Sequence, residues 1–333
     1  MSAPLVDIAD LVIGYDAGAR QIRALDSASL QVHENETLAI VGESGSGKTT
    51  LGMAAGRLLP PEAQLLDGAI TVAGVDVTNA DDAALRRLRR EKLGFVFQNP
   101  STALDPTMRI GQQVALAMGG RPRPDEIAAL LARAELGDPA RVLRAFPHEL
   151  SGGMAQRVVI AMAIARAPYL LIADEPTASL DASIREKVMA TLVRLRAESG
   201  ASLVILSHDL RLIARHADRV AVMYGGRIVE LGPVAQIMQE PAHPYTRALL
   251  AAAAGNERPG DRLQPIPGTP PILSGRCEAC AYAPRCNFRI ARCDSERPEA
   301  RLLSESEGAG RTVVCHRADE VIITGARQRK EVR

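Results

Sequence analysis

Four short apolar runs punctuate the first two thirds of the chain: Thr37–Val41, Leu93–Phe97, Leu170–Ala173 and Leu203–Leu206. Stretches of helical periodicity lie between them, and the alternation predicts an α/β fold in which helices cover a sheet. Each run ends in a polar residue or a polar loop. Ligands of such folds gather beyond the carboxyl ends of the strands, so these endings are the first place to look for chemistry. Residues Met108 to Arg166 read as Ala-rich and largely helical, which predicts a helical subdomain spanning about residues 100–166 before the sheet resumes. After Leu250 the pattern changes. Arg258-Pro259-Gly260 and Ile266-Pro267-Gly268-Thr269-Pro270-Pro271 predict a turn-rich connector, followed by a cysteine-rich segment.

Composition narrows the class without changing this outline. Apolar residues make up 47% of the 333 residues and charged residues 24%, as in a globular protein with one large core. The formal charge of +1 gives the molecule no overall attraction to nucleic acid, and none is expected as a partner. The longest apolar stretch, Ala161–Ala173, is broken by Arg166 and Pro168 and falls short of the roughly 20 residues that cross a bilayer. The acidic start MSAPLVDIADL does not resemble a secretion signal, so a cytoplasmic location is expected.

Gly42-Glu43-Ser44-Gly45-Ser46-Gly47-Lys48-Thr49 fits the phosphate-loop pattern G-x-x-x-x-G-K-[ST] between a predicted strand and a predicted helix. The glycines let backbone N–H groups turn inward around phosphate oxygens, and the helix beginning near Lys48 adds its positive dipole end. Lys48 is expected to reach the outer phosphates and Thr49 to ligate Mg²⁺.

Further along, Leu150-Ser151-Gly152-Gly153-Met154-Ala155-Gln156-Arg157 resembles the signature motif of ABC ATPases, and residues 1–250 follow that family's order. The resemblance implies an ABC-type nucleotide-binding domain of the P-loop class, with ATP and Mg²⁺ as its ligands. Tyr15 stands where the family stacks an aromatic ring on adenine, and Thr50 follows the phosphate loop. Gln98 takes the place of the lid glutamine, which also meets Mg²⁺. Leu170 to Pro176 matches the Walker B strand, with Asp174 for Mg²⁺ and Glu175 as general base. Ser179-Leu180-Asp181 matches the D-loop, and His208 occupies the switch-histidine position. Ser151, Gly152, Gly153, Gln156 and Asp181 would serve the nucleotide held by a second ATPase subunit. Two departures stand out: Met154 replaces the usual Gln after the paired glycines, and Ser179 replaces the usual Ala.

Phe146-Pro147-His148-Glu149-Leu150 and His243-Pro244-Tyr245-Thr246-Arg247-Ala248-Leu249-Leu250 resemble the ATPases of oligopeptide, dipeptide and nickel importers. The spacing Cys280-x5-Cys286-x6-Cys293-x21-Cys315 resembles that subfamily's C-terminal extension, expected here over residues 251–333 with a basic, disordered tail from Arg327. The resemblance implies a [4Fe–4S] cluster. Four-thiolate zinc obeys the same ligand count, and unligated thiols stay open because short Cys pairs are lacking. Cys277 forms a C-x-x-C pair with Cys280 and would be the spare. Arg86, Arg87, Arg89 and Arg90 read as a solvated helix face.

The implied machine couples ATP hydrolysis to uptake through two permease subunits, fed by an extracytoplasmic solute-binding protein. The chain would sit on the cytoplasmic face of the plasma membrane through those permeases. A soluble ABC ATPase acting in DNA repair or translation is the alternative, and the absence of a heptad run argues against it. In a third reading the cysteine-rich tail senses redox state or iron.

Overall fold

The structure, a computed structural model, describes residues 3–16, 18, 21–178, 180–253, 265–304 and 310–331, with backbone only at 182 and 325–331. Twelve strands are seen among them: β1 (Val6–Asp16), β2 (Gln21–Val32), β3 (Thr37–Val41), β4 (Ala63–Val72), β5 (Val75–Asp76), β6 (Leu93–Val96), β7 (Leu170–Asp174), β8 (Ser202–Ser207), β9 (Arg219–Tyr224), β10 (Arg227–Pro233), β11 (Arg301–Ser304) and β12 (Arg311–Val313). They form a four-stranded antiparallel sheet, β2-β1-β4-β5, and an eight-stranded sheet, β11-β12-β10-β9-β3-β8-β7-β6. In the larger sheet β9, β3, β8, β7 and β6 run parallel.

The four expected apolar runs are β3, β6, β7 and β8, with ends shifted by one residue at most. Their unbroken apolar character has a direct cause: both faces are covered. Along β3, Ala39 and Val41 face one core while Leu38 and Ile40 face the other, and β7 and β8 alternate in the same way. One core joins the sheet to the helical lobe through Ile110, Val114, Leu131 and Val158. The other joins it to the antiparallel sheet and to the helix Lys48–Ala55. The lobe is built from the helices Pro100–Ala103, Ile110–Met118, Pro124–Arg133, Pro139–Arg144 and Gly152–Ile164, as the Ala-rich stretch predicts. Of the arginines expected on a solvated face, Arg86, Arg87 and Arg90 are exposed. Arg89 is half-buried and its Nε donates to the Gly56 carbonyl at 2.7 Å.

The cysteine-rich segment does not hang free of this body. Its strands β12 and β11 extend the large sheet beyond β10. Beneath the junction the buried Arg311 donates to Glu230 at 2.8 Å. The same carboxylate receives the N–H groups of Ala242 and His243 at 3.0 Å, fixing the start of the helix Pro244–Ala252. On the other side, Arg227 joins the buried Asp26 to the Cys277 carbonyl. The Arg258-Pro259-Gly260 part of the expected connector lies outside the described residues. One expectation is corrected. Residues 327–331 of the tail, expected to lack structure, continue the helix Ala318–Glu331. Its Ala, Arg, Gln, Lys and Glu residues are strong helix formers, and Asp319 and Glu320 complement the dipole of its first turn.

His243 caps the helix Pro244–Ala252, its Nδ1 accepting from the Tyr245 N–H at 3.0 Å. Burial lowers its pKa from 6.5 to about 3. Between those values the unfolded chain binds a proton that the folded chain refuses. This contribution to stability is therefore complete above pH 6.5 and declines as the pH falls, by at most about 1.4 kcal/mol per unit. His243→Asn keeps a capping acceptor without the titration. Thermal melts between pH 7.5 and 5 are expected to fall more steeply for the wild-type chain than for this variant; parallel curves would contradict the assignment.

Candidate functional site

The phosphate loop joins β3 to the helix Lys48–Ala55, and close packing explains its glycines. A Cβ on Gly42 would stand 2.2 Å from the Met223 carbonyl oxygen, and one on Gly47 2.5 Å from that of Ala24. Gly47 also has φ +101°, a left-handed conformation that favours glycine. At the crest, Gly45 has φ +78° and nothing within 4 Å of its Cβ direction, leaving an open concavity with Ser44 exposed beside it. Ser46 is buried, and its hydroxyl has no hydrogen-bond partner. An orphaned hydroxyl inside a cradle of this shape fits a phosphate oxygen.

Lys48 is buried behind the loop, its Nζ donating to the carbonyls of Gly42 at 2.8 Å and Glu43 at 2.9 Å. Burial lowers its pKa, and the neighbouring carboxylates of Glu175, Asp174 and Glu43 oppose that shift. Thr49 Oγ1 donates to Asp174 Oδ1 at 3.1 Å, so the hydroxyl and carboxylate expected to hold Mg²⁺ already stand together. Burial raises the pKa of Asp174 and Glu175 pushes the same way, while Thr49 and Lys48 oppose them. A dication between Thr49 and Asp174 would oppose that shift by favouring the charged carboxylate. The donor set therefore suits Mg²⁺, a hard cation that prefers oxygen.

Glu175 follows Asp174 with φ +44°, a left-handed conformation uncommon outside glycine and typically costing about 1–3 kcal/mol. Its N–H donates to the Leu206 carbonyl at 2.9 Å. Its carboxylate takes both contacts from His208 Nδ1, at 3.0 and 2.9 Å. The backbone twist thus turns Glu175 away from Asp174 and onto the imidazole at the end of β8. Two adjacent carboxylates are separated into one beside the Mg²⁺ position and one able to accept a proton from water.

Tyr15 reaches the same helix, its hydroxyl 3.3 Å from Thr50 Oγ1. Gln98 lies exposed two positions beyond β6, without a hydrogen bond among the described residues. Ser151 caps the helix Gly152–Ile164, its Oγ accepting from the Met154 N–H at 3.3 Å. Ser151 and Gly152 are exposed, whereas Gly153 packs inward, where a Cβ would meet Ile184 at 2.8 Å. Asp181 is exposed at the start of the helix Ala182–Ser199, and Ser179 lies outside the described residues. Gln156 departs from expectation. It is buried, with neither amide atom partnered, so it does not share the exposed edge formed by Ser151 and Gly152. Helical geometry is the reason: it lies three residues beyond the inward-packed Gly153 and three and four before Val159 and Ile160, on the buried stripe of the helix.

Two residues touching the loop lie within stretches read in the sequence only as subfamily marks, Tyr245 in His243 to Leu250 and Arg285 just before Cys286 of the cysteine spacing. The Tyr245 hydroxyl accepts from the Glu43 N–H at 2.8 Å. Arg285, from the cysteine-rich segment, pairs with the Glu43 carboxylate. Their motif letters carried the signal; their neighbourhood did not show. The four cysteines expected to act together, Cys280, Cys286, Cys293 and Cys315, line one small pocket with His243 and Tyr282. Among the described residues, no three or more His, Cys, Asp or Glu side chains are arranged around a single metal ion. No described helix is long and apolar enough to cross a membrane.

Known proteins repeat this arrangement. The sequence profile of ABC transporters matches residues 25–178, and that of the oligopeptide/dipeptide transporter C-terminal region matches residues 229–293. A protein of Brucella ovis named as a peptide import ATP-binding protein is 39% identical over 324 residues, 92% of this chain and 96% of its own. The dipeptide transport ATP-binding protein DppD of Bacillus subtilis is 34% identical over 328 residues, covering 96% and 98% of the two chains. Among solved structures, a dimeric bacterial ABC transporter cassette superimposes with a TM-score of 0.62 at 31% identity, over 69% of this chain and 98% of its own. Another, cbiO1 of Clostridium perfringens, part of an ABC transporter complex, gives 0.61 at 26% identity, over 71% and 91%. With a phosphate loop, a Walker B strand and a cysteine-rich segment placed as described, the chain belongs to the ATP-binding subunits of ABC transporters, in their oligopeptide/dipeptide branch.

Proposed function

We propose that this chain hydrolyses ATP to drive an importer for peptides or related small solutes. The observation that carries the mechanism is the separation of Asp174 from Glu175, with His208 holding Glu175 beside the phosphate loop. The loop amides from Gly42 to Thr49, together with Lys48 and the Ser46 hydroxyl, bind the phosphates; Thr50 and Tyr15 support the nucleotide side. Thr49 and Asp174, with Gln98 nearby, would hold Mg²⁺, which when bound would supply neutralisation of the phosphate charge. Glu175 takes a proton from the attacking water, and His208 fixes the carboxylate for that task. On this reading Glu175→Gln retains ATP binding but lowers turnover at least about 100-fold, whereas Lys48→Ala weakens ATP binding itself. Isothermal titration and phosphate release measure the two effects, and ordinary turnover in the Glu175 variant would overturn the choice of base.

Ser151 and Gly152 expose a helix N-terminus at the surface of the lobe, suited to the γ-phosphate of ATP held by a second ATPase subunit. Asp181 would support the same interface. Two membrane permeases hold the resulting dimer at the cytoplasmic face, and an extracytoplasmic solute-binding protein delivers cargo. Purification of the tagged chain from mild-detergent membranes is expected to bring down two permeases and a second ATPase. Recovery with ribosomal or DNA-repair proteins instead would discard the transport reading.

The finer reading of the cysteine-rich segment is a [4Fe–4S] cluster on Cys280, Cys286, Cys293 and Cys315. Burial raises the thiol pKa of Cys286 to about 11 and that of Cys315 to about 12, and it raises Cys280 as well. Repulsion among the sulfurs adds to each, so a cationic cluster would be the natural counter-charge. Four thiolates that ligate four different irons stand farther apart than four around one zinc ion. What supports the reading is that all four cysteines line one pocket. Anaerobic preparations are expected to contain iron and acid-labile sulfide, both lost in Cys293→Ser. Stoichiometric zinc, or five freely titrating thiols, would sink this assignment.

A further inference from the structure

Arg285 reaches from the cysteine-rich segment to the phosphate loop. Its Nη1 donates to Glu43 Oε2 at 2.7 Å and its Nη2 to Oε1 at 3.0 Å, a two-pronged pairing of fork and carboxylate. The remaining donor capacity is used as well: Nε donates to the Pro267 carbonyl at 2.7 Å, Nη2 to that of Ile266 at 3.2 Å, and Nη1 to the Tyr224 hydroxyl at 3.3 Å. The Arg285 side chain is 4% exposed and that of Glu43 24%. Glu43 is the second residue of the phosphate loop. Its own carbonyl receives Lys48 Nζ at 2.9 Å. A free carboxylate at this place would repel a polyphosphate and compete with it for Lys48.

We propose that Arg285 is a positioning residue for ATP: it neutralises Glu43 and keeps that carboxylate away from the phosphates, so the cysteine-rich segment sets nucleotide affinity. The inference rests on the reading of residues 42–49 as the ATP seat. A purely structural staple is the competing account, because Arg285 also holds the carbonyls at 266 and 267. Charge separates the two. The wild-type pair is neutral, Arg285→Ala leaves a net negative charge beside the phosphates, Glu43→Gln leaves a net positive one, and the double variant is neutral again.

The test is equilibrium titration of the full-length chain with Mg-ATP at low and high salt, followed by steady-state turnover. Arg285→Ala is expected to weaken ATP binding about tenfold at low salt, with a smaller loss at high salt. The loss should appear in KM for ATP and not in kcat. Glu43→Gln should bind ATP as tightly as the wild type or more tightly, and combining it with Arg285→Ala should restore affinity. Wild-type affinity in Arg285→Ala, or a salt-independent loss that persists in the double variant, would overturn the proposal. Should Arg285→Ala fail to fold, Glu43→Gln decides alone: weaker binding there counts against charge neutralisation. A wild-type chain unable to bind ATP would overturn the reading of the seat itself, a result distinct from any difference among the variants.

Discussion

Lys48 carries its ammonium into the protein interior at the end of the central strand, and much of the surrounding structure answers to that charge. Burial opposes the charged form, so the ammonium is held by two loop carbonyls, Gly42 and Glu43, within the field of three carboxylates. For those carbonyls to point back at the lysine, the loop must turn through conformations open to glycine at Gly45 and Gly47. Its tight first turn against Met223 excludes any side chain at Gly42. The turn after β9 closes the far side, Gly226 donating its N–H to the Ser46 carbonyl at 3.0 Å. A cradle for phosphate follows from satisfying one buried cation with backbone.

The carboxylates around Lys48 are kept apart by structure. Asp174 ends β7 and is tied to Thr49. Glu175 leaves the strand through a strained backbone and is tied to His208. Glu43 is drawn off by Arg285. Three acids near one lysine would otherwise compete for it, and each instead has a partner on a different element. The strained backbone at Glu175 is held by its N–H, which donates to the Leu206 carbonyl on β8.

The cysteine-rich segment is joined to the ATPase body at several depths. Its strands continue the sheet, Arg311 and Glu230 form a buried pair beneath the junction, and Tyr282 packs against Tyr224 and Tyr245. Tyr245 in turn meets the phosphate loop through Glu43. Removing one partner of a pair buried like Arg311–Glu230 leaves an uncompensated charge, at a cost of about 3–5 kcal/mol. The segment is therefore held by interactions that are costly to break, and through Tyr245 and Arg285 it is in contact with Glu43 of the phosphate loop.

The phosphate loop, the four central strands and the helical run after residue 100 were legible in the sequence by itself, as was the pair of acids, Asp174 and Glu175, at the end of a strand. Those features are local in the chain: a glycine pattern, an apolar run covered on both faces, an acid at a strand end. The sequence left β1, β2, β4, β9 and β10 unassigned; for half-exposed β4 the reason is that broken alternation is a weak signal beside a continuous apolar run. It also grouped Gln156 with the residues that would serve the second subunit's nucleotide, whereas its amide is buried. Tertiary structure alone decided which distant residues meet. Arg285 and Glu43 are separated by 242 positions, Tyr245 and Glu43 by 202, and Thr49 and Asp174 by 125. Contacts of that separation leave no periodicity in the chain, since they arise only once the sheet has closed and each buried charge has found its partner.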